Sequence, residues 1–490
     1  MMTLLKTYHH HNDKQRQFSL PKWNFVTYAV YALIAVALLY LFVDPAAPPT
    51  AGSGSTAASS TTKPSSLAAA ARPPWIQQQQ QPPPLSSSIS SLPPSPYEAS
   101  SSPIISTSSA AAPPCDYSDG EWVPDARPPL YDGTTCGAIK DDGRSCTANG
   151  RADTGYVHWR WQPRACDLPD FSADAFLRWL RNRHVAFVGD SLARNQAESL
   201  VCLLSSRSPS PPDLAHRSAD GRFRRWVFRD DSAGNATVSV FWSPFLLRGV
   251  EKSERDGVRY NQVFLDAFDE RWMSELHGID VAVLSAGHWF RIPSVYHRGG
   301  RVVGCHGCDD YAAEFNRTVA ESTTSFFSVF RDAVRRTLAE AARRHRHQSS
   351  SGAGGKKPQL VAFTTFSPSH FEGHWNEGAP CKKKADRELG YTETEMRKIV
   401  VEAVEEAAST MSSNDSAQPL RFAALDVTAL ANMRPDGHPG PYMRKNPFAG
   451  GGGNNTGDHR PVQHDCLHWC MPGPVDTFNQ ILLQTILRAR

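Results

Sequence analysis

Ser191, Asp465 and His468 are the residues whose types and spacing best suit nucleophilic chemistry. Ser191 follows an apolar run, His184-Val185-Ala186-Phe187-Val188, through Gly189-Asp190, and an amphipathic stretch begins at Leu192. That order places the serine at a strand-to-helix turn. There its hydroxyl is exposed, and its own N–H and the first helical amides can face a developing oxyanion. A serine hydroxyl is a weak nucleophile and needs a base. Asp465-Cys466-Leu467-His468 offers one: a carboxylate three residues before a histidine can hold one ring nitrogen and leave the other to deprotonate Ser191. The substrate of such a set is an acyl ester. Gly-Asp-Ser alone is a short motif with many chance matches, and a histidine in a surface loop is the plain alternative for His468. Its place between Cys466 and Cys470 and beside Trp469 argues for an ordered setting instead. Asp436-Gly437-His438 is a second acid near a histidine, but its glycine and proline neighbours read as a turn.

The elements that must position these residues are short apolar runs, each followed by a loop. Besides 184–188 they are 279–285 (IDVAVLS), 360–365 (LVAFTT) and 422–426 (FAALD). Helical periodicity lies between them, over 192–204, 325–346 and 393–408. Strands alternating with helices predict an α/β fold with a mainly parallel sheet, whose ligands bind beyond the carboxyl ends of the strands. Ser191, His288 and Ser367 then gather at one edge. The segment 349–357 (SSSGAGGKK) lacks the spacing of a phosphate loop, and 450–453 is a glycine run; both predict surface loops.

The chain has 490 residues, a net charge of +3 and a charged fraction of 21%, with no dense basic stripe, so nothing suggests nucleic acid. All ten cysteines (Cys115, Cys136, Cys146, Cys166, Cys202, Cys305, Cys308, Cys381, Cys466 and Cys470) fall after residue 114. That distribution predicts disulfides in an oxidising compartment, with buried cytosolic thiols as the alternative. Sequons begin at Asn235, Asn316, Asn414 and Asn454. Residues 25–43 form an uncharged apolar run that spans roughly 28 Å as a helix, enough to cross a bilayer. Lys6, Lys14, Arg16 and Lys22 precede it, and the next basic residue is Lys63, so the C-terminal bulk is expected on the lumenal side. A cleaved signal peptide ending near Ala46-Ala47 is the rival, but the run is long for one. Residues 44–114 are rich in Ser, Pro and Gln and predict an unstructured stem. The expected layout is a cytoplasmic tail (1–24), a transmembrane signal anchor (25–43), the stem (44–114), a Cys-rich N-terminal subdomain (115–168) and the catalytic domain (169–490).

Together these motifs resemble the plant trichome-birefringence-like family of polysaccharide O-acetyltransferases. The resemblance rests on Gly189 to Gln196 (GDSLARNQ), on Asp465 to Gly473 (DCLHWCMPG), on Cys115 to Val123 followed by Tyr156 to Pro163, and on Arg434 to Pro439 (RPDGHP). The stretches 241–246 and 364–371 resemble the xyloglucan and mannan branches more than the xylan one. The departures, around 156–159 and in the glutamine run 77–81, do not touch the site. The resemblance implies an SGNH-hydrolase-like three-layer domain, Golgi residence as a single-pass type II membrane protein, and acetyl transfer to a cell-wall polysaccharide. It makes Ser191 the nucleophile, His468 the base and Asp465 its orienting acid. An acetyl donor, acetyl-CoA or another carrier, is required, and no bound cofactor or metal is expected. A polysaccharide acetylesterase and a non-catalytic wall-polymer binding protein are the alternatives.

Gly287, His288, Arg194 and Asn195 are candidates for oxyanion or acceptor contacts; for Arg194 a plain helix-surface charge is an equal alternative. Trp242, Trp289 and Trp375 are candidates for stacking on sugars, with buried packing the competing role. Cys305-His306-Gly307-Cys308 has half the ligands of a zinc site and no second pair, so a disulfide is the better reading.

Overall fold

The computed structural model describes residues 115–488, apart from 134, 138–142, 209, 231–233, 309–324, 351–358, 374–378, 385–387, 413–419, 446 and 449–461. The expected anchor at 25–43 and stem at 44–114 lie outside the described residues.

The core is a seven-stranded sheet in the order β13-β12-β9-β3-β6-β5-β4. Its strands are β3 (His184–Gly189), β4 (Asp213–Arg217), β5 (Phe223–Phe228), β6 (Ala236–Trp242), β9 (Val281–Ser285), β12 (Leu360–Thr364) and β13 (Arg421–Leu425). The five from β13 to β6 are parallel; β5 and β4 add an antiparallel edge. The four runs singled out from hydrophobicity are four of the five parallel strands, β3, β9, β12 and β13; β6 was not among them. A parallel sheet is covered on both faces, and its strands read as continuous apolar runs for that reason.

Successive residues on these strands enter opposite layers, as the pleat requires. Val185, Phe187, Val281, Val283 and Leu360 belong to one apolar cluster. Ala186, Val188, Ala282, Leu284, Val361 and Phe363 belong to the other. The first cluster is closed by α1 (Ala173–Leu180), α2 (Ser191–Ser205) and α7 (Val475–Leu487). Across the sheet lie α3 (Glu270–Met273), α4 (Phe326–Ser350) and α5 (Tyr391–Ser412). Helix α4 buries Val329, Phe330, Ala333, Val334 and Leu338, the i, i+3, i+4 stripe of a helix with one apolar face. A short helix α6 (Thr428–Asn432) follows β13. The result is a three-layer α/β domain.

Two smaller sheets complete it. A four-stranded mixed sheet has the order β11-β10-β8-β7, with β7 (Leu247–Val250), β8 (Asn261–Phe268), β10 (Ser294–Arg298) and β11 (Arg301–His306). A hairpin joins β1 (Gly120–Pro124) to β2 (Trp159–Pro163) around an edge-to-face pair of Trp122 and Trp161. Trp122 Nε1 donates to the Leu430 carbonyl at 2.9 Å. Hydrophobic patterning singled out neither the strands of the mixed sheet nor β4, which is exposed along its whole length.

All ten cysteines are paired: 115–166, 136–202, 146–470, 305–308 and 381–466. Two of these bridges tie the N-terminal segment to the main domain. Cys136–Cys202 staples the N-terminal segment to α2, and Cys146–Cys470 staples it to the residues just after His468. The buried Glu198 of α2 adds an ionic tie, accepting from both Arg144 and Arg224.

Candidate active site

The chain leaves β3 toward β6 on one side and returns as β9 on the other. The crevice where a parallel sheet reverses order in this way is where such folds bind ligands. Ser191 opens α2 at the carboxyl end of β3. Asp190 caps that helix, its Oδ1 accepting the Leu192 N–H at 2.9 Å. Gly189 is obligatory: it has φ +151°, and a Cβ there would sit 1.7 Å from the Ser285 carbonyl oxygen of β9. The backbones cross so closely that Asp190 N–H donates to that same oxygen at 3.2 Å.

The Asp465–His468 block forms a tight loop held from several sides. Asp465 Oδ2 accepts from His468 Nδ1 at 2.8 Å, while Oδ1 accepts the backbone N–H groups of Leu467 at 3.0 Å and His468 at 2.9 Å. Burial works to raise the Asp465 carboxyl, but the neighbouring His468 and these donated hydrogen bonds outweigh it and hold it well below the usual carboxylate range. The carboxylate therefore stays ionised and fixes the tautomer of His468 with its proton on Nδ1. Nε2 is left as an acceptor, buried and with no hydrogen-bond partner among the described residues. The loop is pinned by the bridges at Cys466 and Cys470, as its flanking cysteines suggested.

Asn195 brings the two motifs together. It lies one helical turn after Ser191, so the two share a face of α2. Its side chain is fully buried; Oδ1 accepts the Trp469 N–H at 2.7 Å and Nδ2 donates to the Trp469 carbonyl at 3.2 Å. This amide clamp sets the residue after His468 against the face that carries Ser191. Asn195, expected as an oxyanion or acceptor contact, is thus a brace between the two motifs, because both ends of its amide are taken up by backbone. The buried Asp190 also feels the charge of His468. Burial pushes its carboxyl up to about 6, against the pull of the Leu192 amide and of His468.

The other candidates divide. Gly287 follows β9, and a Cβ there would press on the Phe366 ring at 2.8 Å, so this turn accepts no larger residue. His288 donates from Nε2 to the Ser367 carbonyl at 2.8 Å and stacks on Phe366 at 4.5 Å. Burial pushes it down to about 3, so it is neutral, and it lies close enough to feel His468. Arg194 is half-buried in the first turn of α2. Ser367, at the end of the β12 run, accepts from Trp469 Nε1 at 3.1 Å. Trp242 and Trp289 meet edge to face at 5.7 Å, half-buried; Trp242, paired in register with Gly189, also donates to Glu251 at 2.7 Å. Trp375 lies outside the described residues, as do Asn316, Asn414 and Asn454. Asn235 is exposed just before β6.

His438 has no carboxylate of its own. Asp436 is tied to Arg434 at 2.8 and 2.9 Å, while His438 Nδ1 donates to the carbonyl of His468 at 2.7 Å. It supports the loop of His468 and does not compete with it. Its partner His370, bonded to it at 2.7 Å, had no signal in the sequence, since 68 residues separate the two. Cys305 and Cys308 pair with each other, and among the described residues no cluster of His, Cys, Asp or Glu is arranged to hold a metal.

A three-layer α/β domain with a serine at this turn and a histidine–carboxylate loop opposite it defines a class of acyl-ester enzymes. The chain belongs to the GDSL/SGNH-like acyl-esterase family found in Pmr5 and Cas1p, whose model matches residues 168–485; the PMR5 N-terminal domain matches residues 113–167. Among its relatives, xyloglucan O-acetyltransferase 2 of Populus trichocarpa is 48% identical over 382 residues, 76% of this chain and 82% of that protein. Xyloglucan O-acetyltransferase 1 of Arabidopsis thaliana is 44% identical over 381 residues, 77% of this chain and 81% of that protein. Protein trichome birefringence-like 26 of Arabidopsis thaliana is 36% identical, over 76% of this chain and 77% of that protein.

Proposed function

We propose that this chain is a polysaccharide O-acetyltransferase that acetylates hydroxyls of xyloglucan through an acetyl-Ser191 intermediate. The observation that carries the mechanism is the open Nε2 of His468, its tautomer fixed by Asp465 and its loop clamped to the Ser191 helix by Asn195. The substrate class is taken from the relatives named xyloglucan O-acetyltransferase.

In the first half-reaction Ser191 Oγ attacks the acetyl carbonyl carbon of the donor, acetyl-CoA or another acetyl carrier, and its proton passes to His468 Nε2. The N–H groups of Ser191 and Gly287 are the donors suited to the oxyanion. The tetrahedral intermediate collapses as the bond to the leaving group breaks and His468 returns the proton to it. In the second half-reaction a sugar hydroxyl gives its proton to His468 and attacks the acetyl-enzyme; Ser191 Oγ leaves and takes that proton back. Water in place of the sugar would make the same site an esterase, so acceptor positioning decides the outcome. Trp242 and Trp289, at the carboxyl edge of the sheet, are the aromatic faces suited to a sugar.

Five disulfides fit an oxidising lumen. With the apolar run at 25–43, they support residence in the Golgi membrane with the catalytic domain lumenal. A C-terminal tag protected from protease in intact vesicles is the expected result; cleavage without detergent refutes the orientation.

The decisive assay supplies the full-length chain with acetyl-CoA and oligosaccharides of xyloglucan, glucomannan and xylan. A mass gain of one acetyl group on the xyloglucan oligomer, absent in Ser191→Ala, is expected. Release of acetate from acetylated oligomers without transfer makes the protein an esterase. No reaction on either substrate makes it a binding protein.

A further inference from the structure

His370 and His438 are both buried, 2% and 3% exposed, and neither has a role in the chemistry above. They form a chain of three hydrogen bonds. His438 Nδ1 meets the carbonyl of His468 at 2.7 Å, His438 Nε2 meets His370 Nδ1 at 2.7 Å, and His370 Nε2 meets the carbonyl of Asn432 at 3.0 Å. Both ends of this chain are carbonyl oxygens, which only accept. Both terminal nitrogens must therefore carry hydrogen, and the central contact needs one more. Three protons on four nitrogens are one more than two neutral imidazoles hold.

We infer that His370 and His438 are a positioning pair for the general base, which carries one buried proton and uses it to hold the backbone carbonyl of His468. The inference rests on the reading of His468 as the base. The excess proton belongs to the pair as a whole, shared across the 2.7 Å contact; burial, and then His370 beside it, lower the His438 imidazole. The surroundings suit a cation. The Trp469 ring lies parallel to His438 at 4.2 Å, His370 meets it edge-on at 6.3 Å, and the ionised Asp465 acts on His438 as an opposite charge.

Other titratable residues lie around the pair among the described residues. Arg151 donates to the carbonyl of His438, Arg434 and Asp436 are tied to each other, and Lys382 meets the carbonyl of His370 through its backbone. The His468 imidazole faces the pair from the loop being held. Raising the pH removes the extra proton, and the two facing nitrogens at 2.7 Å then become lone pair against lone pair. One bond in the chain must then open, and the loop that carries the base loses its rear support.

The test is steady-state acetylation by the full-length chain across pH, with three variants. His438→Phe keeps the ring stack on Trp469 but loses the donor, and is expected to lower kcat about tenfold with KM changed by less than about twofold. His438→Asn places an N–H near the Nδ1 position and is expected to recover kcat to within about threefold. His370→Asn supplies a neutral donor to His438 and is expected to lower kcat by less than His438→Phe does, while removing the fall at high pH expected of the parent. Equal loss in both His438 variants, a loss carried by KM, or an unchanged alkaline limb in His370→Asn overturns the inference.

His468→Ala is run beside them. Full activity in it refutes the base assignment itself, whereas loss in it with no effect of the other variants refutes only the positioning pair. Should a variant fail to fold, the imidazole nitrogen NMR shifts of the histidine-labelled parent decide. One imidazole of the pair protonated on both nitrogens at neutral pH supports the inference, and two neutral imidazoles refute it.

Discussion

Replacing Asp465 with asparagine separates orientation of the base from stability of its loop. Asp465 Oδ1 accepts two backbone N–H groups, those of Leu467 and His468, and Oδ2 accepts His468 Nδ1–H. An asparagine must give its single oxygen to the two amides, since both are donors. Its NH2 then faces Nδ1, where a second hydrogen cannot be tolerated. The proton of His468 moves to Nε2, and the nitrogen meant to take the Ser191 proton becomes a donor. Wrong-tautomer variants of this kind in serine–histidine–aspartate sites lose about 10⁴ in kcat, equivalent to about 5.5 kcal/mol of transition-state stabilisation. Because both amide bonds survive, Tm is expected to stay within a few degrees of the parent. Asp465→Ala loses the amide acceptor as well, leaving two partly buried N–H groups unpaired at about 1–3 kcal/mol each, so it is expected to lose both activity and Tm. The assay is kcat for acetyl transfer alongside a thermal melt for each variant. Activity of Asp465→Asn within tenfold of the parent refutes the tautomer argument. A fall in Tm of Asp465→Asn matching that of Asp465→Ala shows that the loss is one of folding.

Three other changes test the frame. Asn195→Ala strands the Trp469 N–H and carbonyl in the core and is expected to cost about 2–5 kcal/mol, read by denaturant unfolding; a loss under 1 kcal/mol means that water replaces the amide. Gly189→Ala drives a Cβ to 1.7 Å from the Ser285 oxygen, so β3 and β9 must part; a soluble variant with the parent's Tm contradicts the crossing described above. Asp190, pushed up from 3.8 to about 6 chiefly by burial, holds in the folded state a proton that the unfolded chain has released between about pH 4 and 6. Stability therefore falls as pH rises through that window, by at most about 3 kcal/mol from this group. Asp190→Asn is expected to flatten the slope without abolishing it, because burial also pushes Asp476 up to about 6; melts from pH 4.5 to 7.5 that show an unchanged slope refute the assignment.

The parallel strands β3, β9, β12 and β13 were legible because burial on both faces makes them continuous apolar runs, and α2 because helical periodicity begins just after such a run; β6, its run broken by Thr237 and Ser239, was not. The edge strands β4 and β5 and the mixed sheet were not, since an exposed or half-exposed strand lacks that signal. At the site, the fixed offset of three residues makes the Asp465–His468 hydrogen bond a local matter. The same holds for the pinning of the loop, in that its two cysteines are visible; their partners, Cys146 and Cys381, are 324 and 85 residues away and are chosen by the fold.

Residue type and spacing alone therefore determined the serine's strand-to-helix turn, the hydrogen bond between Asp465 and His468, and the α/β frame, because each depends on interactions within a few residues along the chain. Tertiary structure alone decided what stands behind them. Asn195 has the right chemistry for an oxyanion donor, yet 274 residues further on the Trp469 backbone lies within its reach and takes both ends of its amide. His438 resembles a rival base, yet Asp436 turns to Arg434 and the imidazole turns to the carbonyl of His468. A side chain's chemical capacity is set by its type; the partner that uses it is set by which backbone arrives beside it when the layers pack.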